Sequence, residues 1–559
     1  MPQSVDQLSP ARGHDFEQIK RTGRRNSIQI LASKTIYSMS NILPASDPEA
    51  SKPDRQWIGA KGVEGGLKRT AVRSWAVNAV GQGVKFMINL GSTAIIARML
   101  TPNDYGLVAM ATAFFTFITL FRDLGLSQAT VQRKTLTEAQ STGMFWFNVL
   151  MGVAIMLLTA AISPLVSLFY GQPNLTWICL AFAAMAPIGS LGAQHAALLQ
   201  RAMQFRSLVL RDILATSVGA AAGIFCAMHG IGYWSLVIMQ AVSQVMGTVT
   251  LWWQSGWRPG PPRWSQELKP LIRFGGTLTL SNILGFVMSG LDSVVIGYFF
   301  GPVGLGVYNR AQNILSRPLK QILPPIMTVT SSAFARVAHD PKKFETAALQ
   351  LAFLISCVSC LLVAITVTCA DWVVLIMLGH NWDGAVPITQ VLALFAFVEP
   401  IGSMLATLLT ARGLPDKLVK WRIISASIIL TGLLSGLHWG PLGVATAYAV
   451  NGLLIRTPIF IFYSGKHLQI QPIRIFGAIS GPVASGLLAA IAMTVVRYKI
   501  WAPSNVFAGL IFVGIIGAAV FGASLWMFDY SRNHLKATIR LARESMRSRQ
   551  FAKTSANAT

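Results

Sequence analysis

Nine charged side chains stand out inside stretches whose hydropathy predicts membrane helices. Lys85, Arg122, Arg310, Arg317, Lys320 and Arg456 are basic, and Asp123, Asp292 and Glu399 are acidic. A charge at the centre of such a helix costs roughly 2.5–3.5 kcal/mol, so each needs a compensating role. Lys85 lies midway along the first stretch, and Arg122 near the cytoplasmic end of the second. Arg310 precedes Arg317 by two turns on the same face, and Pro318, Pro324 and Pro325 would bend that helix. Arg456 follows Asn451 in a later stretch. Together the six cations predict a lumen that holds an anionic headgroup. Arginine suits phosphate through its planar fork, and lysine acts as a point charge. Other roles stay open: Arg122 and Arg310 can snorkel to the surfaces, and Lys85 and Arg317 can pair with structural carboxylates. Glu399, just before Pro400, and Asp292 are candidates either for coupling to a proton or sodium gradient or for counter-ions. Asp123, beside Arg122, reads the same way.

No other group in the chain organises into a reaction centre. Cys357-x-x-Cys360 has redox or metal spacing but sits in an apolar run with no second pair, so it reads as packing. His195 is either a protonation sensor or a helix-packing histidine. The segment Gly379-His-Asn-Trp-Asp383 could touch a sugar or form a capped turn, with Trp372 and Trp382 as interfacial aromatics. There is no phosphate loop, zinc spacing or nucleophile elbow. The sequence predicts no catalytic residue, no metal and no cofactor.

The elements that must position these charges follow from composition. Of 559 residues, 53% are hydrophobic and 12% charged, with mean hydropathy +0.53. Soluble chains carry about 25% charged residues, which argues against a soluble enzyme. The net charge of +25 would suggest nucleic acid in a soluble protein. In so apolar a chain it predicts basic loops on the cytoplasmic side of a membrane and no nucleic-acid partner.

About fourteen runs reach the roughly 20 residues that span a bilayer. They lie near 73–97, 106–126, 144–168, 175–196, 208–228, 231–253, 272–299, 307–334, 346–368, 385–411, 423–438, 441–463, 475–496 and 505–528. With a cytoplasmic N-terminus, the inside loops hold clusters such as Arg133–Lys134, Arg258–Arg273 and Arg412–Arg422. The outside loops hold only Arg98, Arg497 and Lys499. That asymmetry predicts an even count with both termini cytoplasmic.

The runs also repeat. Leu100-Thr-Pro-x-x-Tyr-Gly106 returns as Phe300-Gly-Pro-x-x-Leu-Gly306. Phe169-Tyr-Gly171 has a counterpart in Met377-Leu-Gly379, and Pro187-Ile-Gly-Ser190 in Pro400-Ile-Gly-Ser403. An even-numbered repeat keeps its orientation. The predicted fold is therefore an all-α integral membrane protein with two parallel six-helix repeats plus two extra C-terminal helices, and substrate at the repeat interface. The expected divisions are a disordered basic tail over 1–67, a six-helix bundle over 68–255, a cytoplasmic linker over 256–268 and a second bundle over 269–465. The extra helices then occupy 466–528. A basic amphipathic tail follows over 529–559, with Leu535, Ile539, Ala542 and Met546 on one face for the inner leaflet.

Three motifs carry a family resemblance: Ala97-Arg-Met-Leu-Thr-Pro-Asn-Asp-Tyr-Gly106, Asp123-Leu-Gly-Leu-Ser-Gln-Ala129 and Gly301-Pro-Val-Gly-Leu-Gly-Val-Tyr-Asn-Arg-Ala311. Over residues 68–465 the chain resembles the polysaccharide transport family, the oligosaccharide-lipid flippases of the multidrug/oligosaccharidyl-lipid/polysaccharide superfamily. The long N-terminal tail departs from that pattern. The resemblance implies movement of an undecaprenyl-diphosphate-linked oligosaccharide across the bacterial cytoplasmic (inner) membrane, for exopolysaccharide, capsule or O-antigen synthesis. Membrane lipids, and a polymerase and export proteins, are the implied partners. Of the cations above, only Arg310 lies in a matched motif. The rival expectations are a multidrug antiporter of the same superfamily and a membrane glycosyltransferase or polymerase. On the flippase expectation, Lys85→Ala or Arg317→Ala abolishes export while the protein stays in the membrane.

Overall fold

In this computed structural model, the described residues are 67–122, 127, 130–131, 136–262, 290–314, 316–319, 334, 340–500, 505–528 and 531–532. Both expected tails, the motif residues after Arg122 and the end of the linker lie largely or wholly outside them. Every regular element among the described residues is helical.

The first half contains α1 (Leu67–Met99), α2 (Pro102–Thr119), α3 (Glu138–Tyr170), α4 (Asn174–Arg201), α5 (Phe205–Met228) and α6 (Trp234–Ser255). The second half begins with helical chain over 290–314 that turns at Gly301, where φ is +68°; its limbs 290–300 and 302–314 are α7 and α8. It continues with α9 (Pro341–Thr368), a short α10 (Ala370–Met377), α11 (Ala385–Ala396), α12 (Glu399–Ala411) and α13 (Pro415–Gly436). Next come α14 (Gly440–Val450) and α15 (Thr457–Leu468), joined by a π turn over Asn451–Arg456. α16 (Pro472–Val495) and α17 (Val506–Met527) complete the described chain. Ten helical stretches among the described residues are long and apolar enough to cross a membrane. α1 and α2 are not among the ten. Their polar residues Asn89, Thr93, Thr112 and Thr116 line a cavity rather than meeting lipid.

Local chemistry sets the helix ends. The Thr101 hydroxyl accepts from the Asp104 backbone N–H, while the Asp104 carboxylate accepts from the Thr101 N–H at 2.9 Å. This capping box, followed by Pro102 in the first turn, starts α2 four residues before the expected 106. Thr137 and Gln140 form the same box at α3. Asp340 caps α9 by accepting from the Lys343 N–H at 3.2 Å, which also holds its exposed carboxyl below the usual range. Gly171 and Gly379, the repeated glycines, both take positive φ, at 63° and 94°.

Two expected single helices are interrupted. The run over 385–411 breaks at residues 397–398, so Glu399 opens α12 instead of sitting mid-helix. Pro400 disfavours helical backbone at the residue before it and lacks an N–H to donate back. The run over 441–463 contains the π turn, which Pro458 in the following turn explains in the same way.

The halves meet at the end of the bundle formed by the α1–α2 and α7–α8 turns. A Cβ at Gly106 would overlap the Pro302 carbonyl, and a Cβ at Gly306 would overlap the Pro102 carbonyl. The contact is reciprocal, as a two-fold relation between parallel repeats requires. Around it one continuous core joins Ile96, Ala97, Leu107 and Met110 to Ile296, Leu305 and Tyr308. The extra helices pack elsewhere: Ala489 and Met493 of α16 lie with Val513 of α17 and Phe353 and Cys360 of α9. All five cysteines are free thiols, and Cys360 packs against Gly486.

A polar tie holds α1 to α5. Lys85 Nζ donates to Asp212 at 3.0 Å, and Arg211 donates to the other oxygen of the same carboxylate at 2.8 Å. Asp212 and Arg211 thus lie inside α5, within the expected span 208–228.

Two outcomes are expected. Gly106→Ala or Gly306→Ala should cost about 1–3 kcal/mol through overpacking and lower the melting temperature in detergent. Gly83→Ala and Gly91→Ala should leave it level or raise it, because a Cβ there meets nothing within 4 Å. Asp212→Ala strands two cations and should destabilise by about 1–3 kcal/mol. Adding Lys85→Met should recover part of that loss in the same melting assay.

Candidate functional site

Beneath the joined end lies a cavity of about 400 Å³ between the halves. α1 contributes Asn89, Ser92 and Thr93, α2 contributes Tyr105, Thr112 and Thr116, and α6 contributes Gln240. Ser293 comes from α7, Asn309, Arg310 and Asn313 from α8, and Arg317 from the helical turn at 316–319. Hydroxyl and amide groups share the wall with apolar Ile96, Val108, Leu236 and Met239, and two guanidiniums project from one helix face. These lie seven residues apart, about 10 Å along the axis.

Neither guanidinium meets an acid among the described residues. Arg310 is held by a ring: its guanidinium lies 4.3 Å from the Tyr105 ring centroid, and its buried Nε has no hydrogen-bond acceptor. Arg317 donates to Asn313 Oδ1 at 3.3 Å and to Thr93 Oγ1 of the other half at 3.2 Å. Asn313 in turn donates to the Asn309 carbonyl at 2.6 Å, so an amide ladder runs along the face that carries both cations. A smaller cleft of about 30 Å³ between α1 and α8 shares Asn89, Thr93, Arg310, Asn313 and Arg317 with this cavity. Arg310 is half-buried and Arg317 exposed to the cavity, so an entering anion can reach both.

The other expected site residues lie elsewhere. Lys85 is one turn below Asn89 and is engaged by Asp212, outside the cavity lining. Arg122 follows α2 and reaches into the first half, where a Cβ at Gly189 would stand 2.5 Å from its guanidinium. Arg456 lies on the π turn, 4.9 Å from the Phe395 ring centroid and 5.9 Å from that of Tyr448. It lines a second cavity of about 200 Å³ inside the second half, with Glu399, Ser403, Arg422 and Ser425. Arg422, expected in a cytoplasmic loop, thus lies with Arg456 and Glu399. Asp292 is buried and accepts from the Ser293 N–H at 2.8 Å, Gln312 Nε2 at 3.0 Å and the Tyr308 hydroxyl at 3.3 Å. All its donors are neutral, so among the described residues it is no counter-ion for Arg310 or Arg317. Lys320 and Asp123 lie outside the described residues.

Of two aromatic expectations, His195 fits its packing alternative and Trp382 changes. His195 is fully buried and stacks on Trp252, with ring centroids 4.6 Å apart, beside Phe145 and Trp257. Trp382 is not interfacial. It is fully buried, donates its indole N–H to the Ala97 carbonyl of α1 at 2.9 Å, and meets the Tyr105 ring edge-on at 5.3 Å. Arg98 adds a further tie from the first half, donating to the Ile376 carbonyl of α10 at 2.9 Å. Asn89, Thr93, Asn313 and Tyr105 did not stand out in the sequence. The one available signal was the polar interruption of otherwise apolar α1 and α2.

Comparison with known proteins agrees with this architecture. A model for a family described as "Polysaccharide biosynthesis protein" matches residues 95–387. The chain is 25% identical over 378 residues to the teichuronic acid biosynthesis protein TuaB of Bacillus subtilis (strain 168), covering 67% of this chain and 76% of TuaB. It is 25% identical over 396 residues to the succinoglycan biosynthesis transport protein ExoT of Rhizobium meliloti (strain 1021), covering 70% and 77%. Among solved structures, the lipid II flippase MurJ in an inward closed conformation superposes with a TM-score of 0.67 at 14% identity, covering 81% of this chain and 99% of MurJ. That likeness concerns the fold. With the family model covering more than half its length, the chain belongs to the polysaccharide biosynthesis protein family.

Proposed function

We propose that the protein is a flippase that carries a lipid-linked, diphosphate-bearing oligosaccharide across the bacterial cytoplasmic membrane for polysaccharide synthesis. The observation that carries this is the pair Arg310 and Arg317, facing a polar cavity between the halves with no carboxylate beside either among the described residues. The diphosphate binds the two guanidiniums, and the hydroxyl and amide wall takes the first sugars. An undecaprenyl tail stays in the bilayer while the halves rock. The cleft between α1 and α8 shares both arginines with the cavity and marks where the halves would part to admit the headgroup. The basic loops support a reading with both termini in the cytoplasm and the α1–α2 end outside. Transport needs no catalytic group, and polymerase and export proteins act on the delivered unit.

A cationic-drug antiporter would want acids in the cavity wall. Among the described residues the lining has two arginines and no Asp or Glu. We assign coupling to an ion gradient to Asp292, whose neutral surroundings let it gain or lose a proton without breaking an ion pair.

Three results are expected from vesicles and cells. Arg310→Ala should abolish export at normal membrane abundance and weaken diphosphate binding about 10- to 100-fold, the loss of one charge-assisted contact. Arg310→Lys should retain part of both. Unchanged export in Arg310→Ala and Arg317→Ala would refute the cationic site. Asp292→Asn should bind diphosphate normally, yet its transport should no longer respond to an imposed proton gradient.

A further inference from the structure

Tyr105 stands between the anion site and the closed end. One face of its ring carries the Arg310 guanidinium, at 4.3 Å. Trp382 meets the ring edge-on, with planes at 75° and centroids 5.3 Å apart. The Trp382 indole is bonded to the Ala97 carbonyl. The next residue, Gly106, lies against the Pro302 carbonyl of the other half. The ring thus touches the ligand-facing cation, the buried indole that bridges the halves, and the backbone contact that joins them. It belongs to α2, whereas Arg310 and Trp382 belong to the second half.

We propose that Tyr105 is a positioning residue that couples occupancy of Arg310 to opening of this end. The inference rests on the cationic-site reading and adds to it the route by which binding is sensed. Without a bound anion, the Arg310 guanidinium rests on the Tyr105 face at 4.3 Å, and their attraction draws α2 onto α8. A diphosphate oxygen that accepts from the guanidinium neutralises its charge and weakens its pull on the ring quadrupole. Tyr105 then loses one of the two contacts that hold it against Trp382. Gly106 moves with it, and the close approach to Pro302 is released. Binding therefore favours the state open at this end, the state that releases the headgroup there. The phenol hydroxyl plays no part, so phenylalanine should serve and an aliphatic residue should not.

The test uses the full chain in detergent with Ala97→Cys as reporter, a position fully buried in the closed end. Its maleimide labelling rate, corrected for the native cysteines, is measured with and without inorganic pyrophosphate, and pyrophosphate affinity is measured by calorimetry. Pyrophosphate should speed labelling about fivefold or more, the lower range of site-to-site coupling. Tyr105→Phe should preserve that increment. Tyr105→Leu should label fast without pyrophosphate and lose the increment, with affinity changed by only about threefold. A full increment in Tyr105→Leu overturns the coupling role and leaves the cationic site standing. Absence of pyrophosphate binding to the parent chain overturns both. Should Tyr105→Leu fail to fold, Trp382→Phe keeps the ring edge and deletes the N–H. It should raise the basal rate and retain the increment, and an unchanged basal rate would overturn the proposed path.

Discussion

The halves of this protein touch where a proline carbonyl of each lies against a glycine of the other. Pro302 meets Gly106 and Pro102 meets Gly306, so closely that no Cβ fits at either glycine. Between lipid-embedded helices there is no hydrophobic drive to association, because lipid is as apolar as leucine. Close backbone approach at small residues supplies van der Waals contact instead. The rest of the joined end is arranged around this contact. Capping by Thr101 and Asp104 places Pro102 at the first turn of α2, and the positive φ of Gly301 does the equivalent for Pro302. Trp382 and Arg98 then hydrogen-bond across to backbone carbonyls of the opposite half.

Closure at one end leaves a space beneath it, and the chemistry of that space follows from which helix faces turn inward. α1 and α2 show their amides and hydroxyls to the cavity, and α8 shows two arginines and the asparagines that steady them. A cavity of about 400 Å³ with two guanidiniums has room for the anionic headgroup we propose rather than for a whole lipid. Asp292 bonds Tyr308 and Gln312 of α8, the helix that carries Arg310, so the proposed coupling group and the anion site share one helix.

Some of this was readable from residue order. Helix ends followed short-range rules: Thr-x-x-Asp and Thr-x-x-Gln boxes, glycines at positive φ, and proline in first turns. The repeat appeared as matched Pro–Gly and Gly pairs, and those letters proved to be the contact itself. Arg310 and Arg317 could be paired because i and i+7 share a helix face.

Sequence by itself determined that the chain is all-helical and membrane-spanning, that it is a parallel duplication, and that one helix face carries two cations. These are properties of composition and of local periodicity, which act within a few residues. Only the tertiary structure decided which charge answers which. Lys85 belongs to Asp212, 127 residues away, and Arg456 to a separate cavity with Glu399 and Arg422. Trp382 proved to be a buried strut to Ala97, 285 residues distant. Such pairings depend on where distant helices cross, and the energy of a buried charge is set by neighbours that its own segment does not name.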